Sequence, residues 1–201
     1  MGNRRTVQAE ATRAQIVDAA HELFMARGYV GTSLGSVAEL AGVAVQTIYN
    51  SIGNKAALLA AVLDQAGGPD GQRTVADFMA ARGHADATLD GLIRLLADWL
   101  FEVNERSIEV TTLIRQTAAV YPEVAALERE RAARRLKNYG LAAASARTRG
   151  GLTAGMSETQ AAAAIWSLGH PQVYASLVRD GDWSPDAYRD FLYQGLTRVL
   201  G

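Results

Sequence analysis

The sequence predicts an all-α chain built in two parts. Three observations carry this. Apolar residues recur with helical period, most clearly at Leu92, Leu95, Leu96, Trp99, Leu100 and Val103, where offsets of three and four alternate. Only 4 prolines occur in 201 residues, and no alternating β-branched run is long enough for a strand. Helix-start signals recur along the chain, at Thr12 with Gln15, at Ser157 with Gln160, and at Ser184-Pro185. Hydrophobic residues at 49% against 20% charged leave ample material for a core.

The elements follow in order. Residues 1–11 are polar and read as a flexible arm bearing Arg4 and Arg5. Thr12 and Gln15 have capping-box spacing, where a hydroxyl caps a helix and the glutamine reaches back. Ile16, Ala20, Leu23 and Phe24 then form one apolar face, and Gly28 behind Arg27 supplies a stop. Ser33 caps a second, short helix offering Val37, Ala38 and Ala41 inward. Gly42 turns the chain into a third, which buries Ile48 and leaves Gln46, Thr47, Tyr49 and Asn50 outward. Asn54 caps a fourth helix carrying Leu58, Leu59, Val62 and Leu63. The breaker cluster at 67–72, Gly-Gly-Pro-Asp-Gly-Gln, sets a boundary. This gives a first domain at 1–66, with its core at 12–63, and a second at 73–201.

Beyond the boundary, 73–81 reads as a short helical segment, and the Trp99 stripe precedes a helix over 107–120. Pro122 starts another, with Glu128, Glu130, Arg131, Arg134 and Arg135 on one face. Acids alternate with bases there, and Glu130–Arg134 has the favourable i,i+4 order, so this face reads as solvated. Gly150-Gly151 ends it. The helix opened by Ser157 carries Ile165, Trp166, Leu168, Val173, Tyr174 and Leu177, with a break at Gly169-His170-Pro171. Ser184-Pro185 opens the last, faced by Phe191, Leu192, Leu196 and Val199.

Composition narrows the function classes. With no cysteine there is no disulfide framework or thiol chemistry. His21, His84 and His170 lie too far apart for a metal-ligand spacing, so no metal is expected. No Gly-x-Ser-x-Gly, phosphate loop or dinucleotide glycine pattern occurs, and the reading is a non-enzyme without a cofactor. No apolar run reaches membrane-spanning length and no signal core follows the N-terminus, which points to the cytoplasm. Net charge is −1, but local distribution matters more for nucleic-acid binding. Within 1–55, Arg4, Arg5, Arg13, Arg27 and Lys55 face Glu10, Asp18, Glu22 and Glu39, a marginal basic excess.

The pair of short helices around Gly42, the second with a polar outer face, is the helix-turn-helix pattern, whose second helix enters a DNA major groove. Gln46, Thr47 and Asn50 are the candidates for base edges: amides pair with adenine and a threonine methyl touches thymine. Lys55 and Ser33 start helices, where amides and dipole favour a phosphate. Arg13 either touches backbone or is solvated. The alternative is a helical small-molecule-binding or protein-interaction module without sequence-specific DNA binding, which leaves the outward cluster at 46–50 without a purpose.

The wider arrangement resembles the tetracycline-repressor-like (TetR) family of bacterial regulators. The residues that carry the likeness are Phe24-x-x-x-Gly28-Tyr29, Ser33, Val37-Ala38, Ala41-Gly42-Val43, Thr47-Ile48-Tyr49, and Lys55 with Leu58-Leu59. The resemblance covers 12–63 strongly; beyond 73 it rests on helical architecture and the Gly181-Asp182-Trp183-Ser184 turn. It implies a DNA-binding regulator acting as a repressor, a homodimer through the last two helices (roughly 157–179 and 185–200), and a palindromic operator in double-stranded DNA. It also implies Tyr49 as a phosphate donor, with half-buried packing as the alternative. Ala161 to Ala164 and Gly195 permit close helix approach, either at that interface or within the chain. Ala44, Ile52 and Gly35 depart from the family's usual serine, aromatic and basic residue, which reduces phosphate contacts and the salt slope of binding.

The resemblance makes the second domain a sensor for a small apolar or aromatic effector. Trp99, Trp166 and Tyr174 are its candidate lining, and Arg115, Gln116 and His170 its candidate polar groups, against core packing for each aromatic and a structural role for His170.

Overall fold

The computed structural model describes residues 2–68, 88–152 and 155–201. The short segment expected at 73–81 lies outside them. The described elements are helical: α1 Gly2–Gly31, α2 Leu34–Leu40, α3 Val45–Ser51, α4 Lys55–Ala66, α5 Leu89–Ala118, α6 Pro122–Thr148, α7 Glu158–Leu168, α8 Pro171–Tyr174 and α9 Pro185–Leu200. Between α8 and α9, Ala175–Asp180 winds more widely, in a π-type turn.

The chain forms two compact units. The first holds residues 1–66 together with 109–128, and the second holds 67–108 and 129–201. The first unit is therefore larger than the segment before the Gly-Pro cluster, because the end of α5 and the start of α6 return to it. Val110, Ile114 and Val124 are buried among Ile16, Phe24, Val37, Ile48, Leu58, Leu59 and Val62, which explains the recruitment.

The N-terminal arm and first capping box are corrected by the structure. Helix α1 starts at Gly2, and the Thr12 hydroxyl donates back to the Gln8 carbonyl at 3.0 Å instead of capping. Gln8, Ala9, Glu10 and Ala11 are good helix formers, so nothing stops the helix from extending upstream of Thr12. Downstream, Gly28 breaks the helical path with φ +68° and ψ 178°, a region only glycine reaches without strain. Buried Thr32 ties this end by donating to the Leu23 carbonyl at 3.0 Å and the Gly28 carbonyl at 2.9 Å.

In the second unit Leu92, Leu96, Trp99, Leu100, Tyr139, Ile165, Tyr188, Leu192 and Leu196 form one core. The Gly169-His170-Pro171 break ends α7. His170 Nδ1 accepts the Gln172 amide at 3.1 Å and Pro171 sits at the first position of α8. Gly169 lies so close to Leu100 that a Cβ would overlap its side chain. The adjacent carbonyl of Gly169 accepts from buried Asn104 Nδ2 at 3.1 Å, and the same amide donates to the Tyr188 hydroxyl at 3.1 Å.

Candidate nucleic-acid interface

Helices α2 and α3 are set by local hydrogen bonds. Ser33 Oγ accepts the Ser36 amide at 3.0 Å and Ser36 Oγ accepts the Ser33 amide at 3.0 Å, a reciprocal cap. At the other end of α2, Gly42 takes φ +66°. Its amide donates to the Glu39 carbonyl at 3.2 Å, and the Val43 amide to Ala38 at 2.9 Å. These two bonds form a Schellman stop and aim the chain into α3. Ala44 gives α3 no side-chain cap. Ile48, fully buried, anchors it.

The outward face of α3 carries the expected polar set. Gln46 and Asn50 are exposed, Thr47 is half-buried, and Tyr49 is 53% exposed. Gln46 Nε2 donates to Asn50 Oδ1 at 2.9 Å, so the two amides act as a pair. The C-terminal end is held from outside the helix: Arg13 Nη1 on α1 donates to the Ser51 carbonyl at 2.7 Å. That contact satisfies one orphan carbonyl and places a cation at the negative helix end. It spans 38 residues, and no local sequence signal announces it.

Lys55 opens α4. Asn54 Oδ1 caps the helix by accepting the Ala57 amide at 2.9 Å. The Lys55 ammonium sits 4.1 Å from the centroid of the Tyr29 ring. Tyr29 is buried, stacks on Phe24 with centroids 5.9 Å apart, and meets the edge of Tyr121 at 5.3 Å. The pKa of its hydroxyl is pushed up to about 12, first by burial and then by the negative charge of Glu123. Burial lowers the pKa of Lys55, and Glu123 partly opposes this. Tyr121 and Glu123, on the turn into α6, were not singled out by sequence. Only the return of 109–128 to the first unit brings them here.

The six candidate pocket residues are divided between the two units. Arg115 and Gln116 are exposed and belong to the first unit. The other four belong to the second. Trp99 is buried against Tyr139, edge to face at 6.1 Å, and Tyr174 is buried against Tyr188 at 5.1 Å. Trp166 stacks on His170 at 6.3 Å, and with Ala163, Ser167 and Val173 they line an open surface depression of about 360 Å³. Of the small residues, Ala161 and Ala162 are buried in the chain's own core, and Gly195 admits the Leu168 side chain.

Among the described residues no group of three or more His, Cys, Asp or Glu could hold a metal ion, and no helix is long and apolar enough to cross a membrane.

Comparison with known proteins agrees with this geometry. Residues 16–62 match the family described as bacterial regulatory proteins, tetR family. The chain is 30% identical over 175 residues to the probable HTH-type transcriptional regulator ArpR of Pseudomonas putida, covering 83% of this chain and 80% of that protein. It is 29% identical over 175 residues to the HTH-type transcriptional regulator TtgR, also of Pseudomonas putida, with the same coverage. A solved structure of NalD, the secondary repressor of the MexAB-OprM multidrug efflux pump in Pseudomonas aeruginosa, superposes with a TM-score of 0.69 at 26% identity, covering 96% of this chain and 97% of that one. With its helix-turn-helix closed by a Schellman turn and anchored on Ile48, the chain belongs to the TetR family of helix-turn-helix transcriptional regulators.

Proposed function

We propose that the protein represses transcription as a homodimer on a palindromic site in double-stranded DNA. Gln46, Thr47 and Asn50 read base edges, and Ser33, Tyr49 and Lys55 hold phosphates. The observation that carries this reading is α3 itself. A seven-residue helix too short to persist alone is anchored by Ile48 and tied by Arg13, and its free face presents the Gln46 and Asn50 amides beside exposed Val45 and Tyr49. Ser33 takes part through the α2 N-terminus, because its hydroxyl is already engaged with Ser36.

The dimer surface is assigned to the outward side of α7 and α9. There Ala163 and Ser167 are exposed, while Ala161, Ala162 and Gly195 serve intrachain packing. A small apolar or aromatic effector enters the second unit, with Trp99, Trp166, His170 and Tyr174 as the candidates to adjust around it. Its binding shifts the population toward a state whose two α3 helices no longer match the half-site spacing. Relatives named for transcriptional regulation, and one named as a repressor of a multidrug efflux pump, support a repressor of this kind.

Selection of bound fragments from genomic DNA tests the reading. A palindrome with half-sites about 34–36 Å apart, or a multiple of that, is the expected product. Enrichment of no palindrome over competitor DNA defeats it.

A further inference from the structure

Lys55 is not an unsupported side chain. Its ammonium lies over the face of the Tyr29 ring, 4.1 Å from the centroid. An aromatic face carries negative charge density and attracts the cation. The ring itself is firmly placed. Gly28, at φ +68°, breaks the helical path just before it, and the amide of buried Thr32 donates to the Tyr29 carbonyl at 3.3 Å just after it. Phe24 stacks on the ring with planes 15° apart, and Tyr121 meets it at 63° with centroids 5.3 Å apart. Tyr121 is held in turn: its amide donates to the Thr117 carbonyl at 3.0 Å, and its carbonyl accepts the Val124 amide at 3.0 Å. Val124 is fully buried in the same core as Leu58 and Leu59 of α4. At the other end, Asn54 fixes the Lys55 backbone by capping α4. A ring covers only one side of an ammonium, and Lys55 is half-buried, so donors remain for a second partner.

We infer that Tyr29 is a positioning residue for the phosphate contact: its ring holds the Lys55 ammonium ready for a DNA phosphate, and Tyr121 braces the ring. A solvated lysine gives up several rotamers to hold one phosphate. Seated on Tyr29, Lys55 has given them up before DNA arrives, and that preorganisation appears as affinity. At an exposed site the attraction corresponds to about two- to fivefold in a binding constant. Packing of the lysine stem alone would send the ammonium past the ring into water, whereas here it lies over the face. The brace comes from residues 109–128, which belong to the first unit only because the chain returns to it. A state that shifts the turn at Tyr121 therefore loosens Lys55 without touching α3, and by linkage DNA binding opposes that shift.

The inference rests on the reading of Lys55 as a phosphate contact, and the test separates the two. Affinity of the full chain for a random-sequence duplex of about 30 base pairs, three helical turns, is measured across a salt series. The variants are Lys55→Ala, Tyr29→Phe, Tyr29→pentafluorophenylalanine, Tyr121→Leu, and each of the last two combined with K55A. Pentafluorophenylalanine keeps the shape of the ring but reverses the charge of its face, so the core stays filled while the seat is lost. Expected are weaker binding and a slope shallower by about 0.9 per copy for K55A, affinity within about twofold of native for Y29F, and a loss of about two- to fivefold per copy for the fluorinated ring. Y121L should lose a smaller amount, and neither loss should persist in the K55A background. The upfield ring-current shift of the Lys55 ε-methylene protons, read by NMR without DNA, should survive in Y29F and fade in Y121L. If K55A weakens binding but the fluorinated ring binds like native, binds more tightly, or loses as much without Lys55, the seat is refuted while the phosphate contact stands. Native affinity and an unmoved ring-current shift in Y121L refute the brace. If K55A itself binds like the native chain, the phosphate contact and the inference are both refuted, even where the shift proves the ammonium to be over the ring.

Discussion

Replacing Arg13 by methionine removes one cation and one hydrogen bond but keeps the unbranched stem. The structure gives Arg13 a 2.7 Å bond to the Ser51 carbonyl, the last residue of α3. A charge-assisted bond is worth about 1.5–3 kcal/mol when shielded, and a cation at a helix C-terminus adds about 0.3–1 kcal/mol. Arg13 is exposed, so solvent screening reduces the total to about 1 kcal/mol per copy. Two copies engage a palindrome, so the loss reaches about 2 kcal/mol, or about thirtyfold in affinity, if each α3 must be reordered on binding. Fluorescence anisotropy against the selected operator reads the affinity, and the same titration across salt reads the slope. A pin on α3 predicts weaker binding at an unchanged slope. A slope falling by about 1 per copy lost means that Arg13 neutralises a phosphate, and an affinity within twofold of native means that Ser51 needs no clamp; either result refutes the argument.

Two further outcomes follow from the second unit. Asn104→Leu leaves the Gly169 carbonyl and the Tyr188 hydroxyl buried without their shared donor, and should cost about 2–4 kcal/mol in urea unfolding, against less than about 1 kcal/mol for an incidental amide. Asp90 accepts from the Tyr193 hydroxyl at 2.6 Å and from Arg94 Nε at 2.8 Å, and these bonds, Tyr193 first, hold its carboxyl below the usual range. Its contribution to stability is therefore present above the ordinary aspartate value of about 3.9 and is lost as pH falls through the lowered one. Tyr193→Phe should raise the Asp90 titration midpoint, read by NMR, and flatten the acid limb of the stability curve; an unmoved midpoint contradicts the assignment.

What the sequence made legible was local. The caps at Ser33, Asn54, Ser157 and Ser184, the glycine turn at Gly42 and the buried Ile48 all depend on neighbours within a few residues, and all occur as read. Thr12 with Gln15 had the same spacing but no helix breaker ahead of it, so the helix ran through. The features that complete the interface are long-range. Arg13 meets Ser51 across 38 residues, and Tyr121 meets Tyr29 only because α5 brings the chain back to the first unit. Small residues such as Ala161 and Gly195 show the same limit: their size predicts close approach but not by which partner.

The recognition helix has no lysine or arginine between Val45 and Ser51, so its selectivity has to come from amides and hydroxyls. The Gln46–Asn50 bond decides how. It commits one hydrogen of Gln46 Nε2 and one lone pair of Asn50 Oδ1, leaving the Asn50 amide hydrogens and the Gln46 carbonyl oxygen for the groove. Side by side these offer a donor and an acceptor, the complement of adenine N7 and N6. On the proposed reading the two side chains meet the groove as one unit, and removing either releases the other. Asn50→Ala should relax preference at the base pairs facing both residues, and Gln46→Ala/Asn50→Ala should cost little more than Asn50→Ala alone, a strongly non-additive cycle. Affinities for a panel of single-base operator variants measure this. Additive losses at two separate positions would show that each amide reads its own base and that the bond between them breaks on DNA.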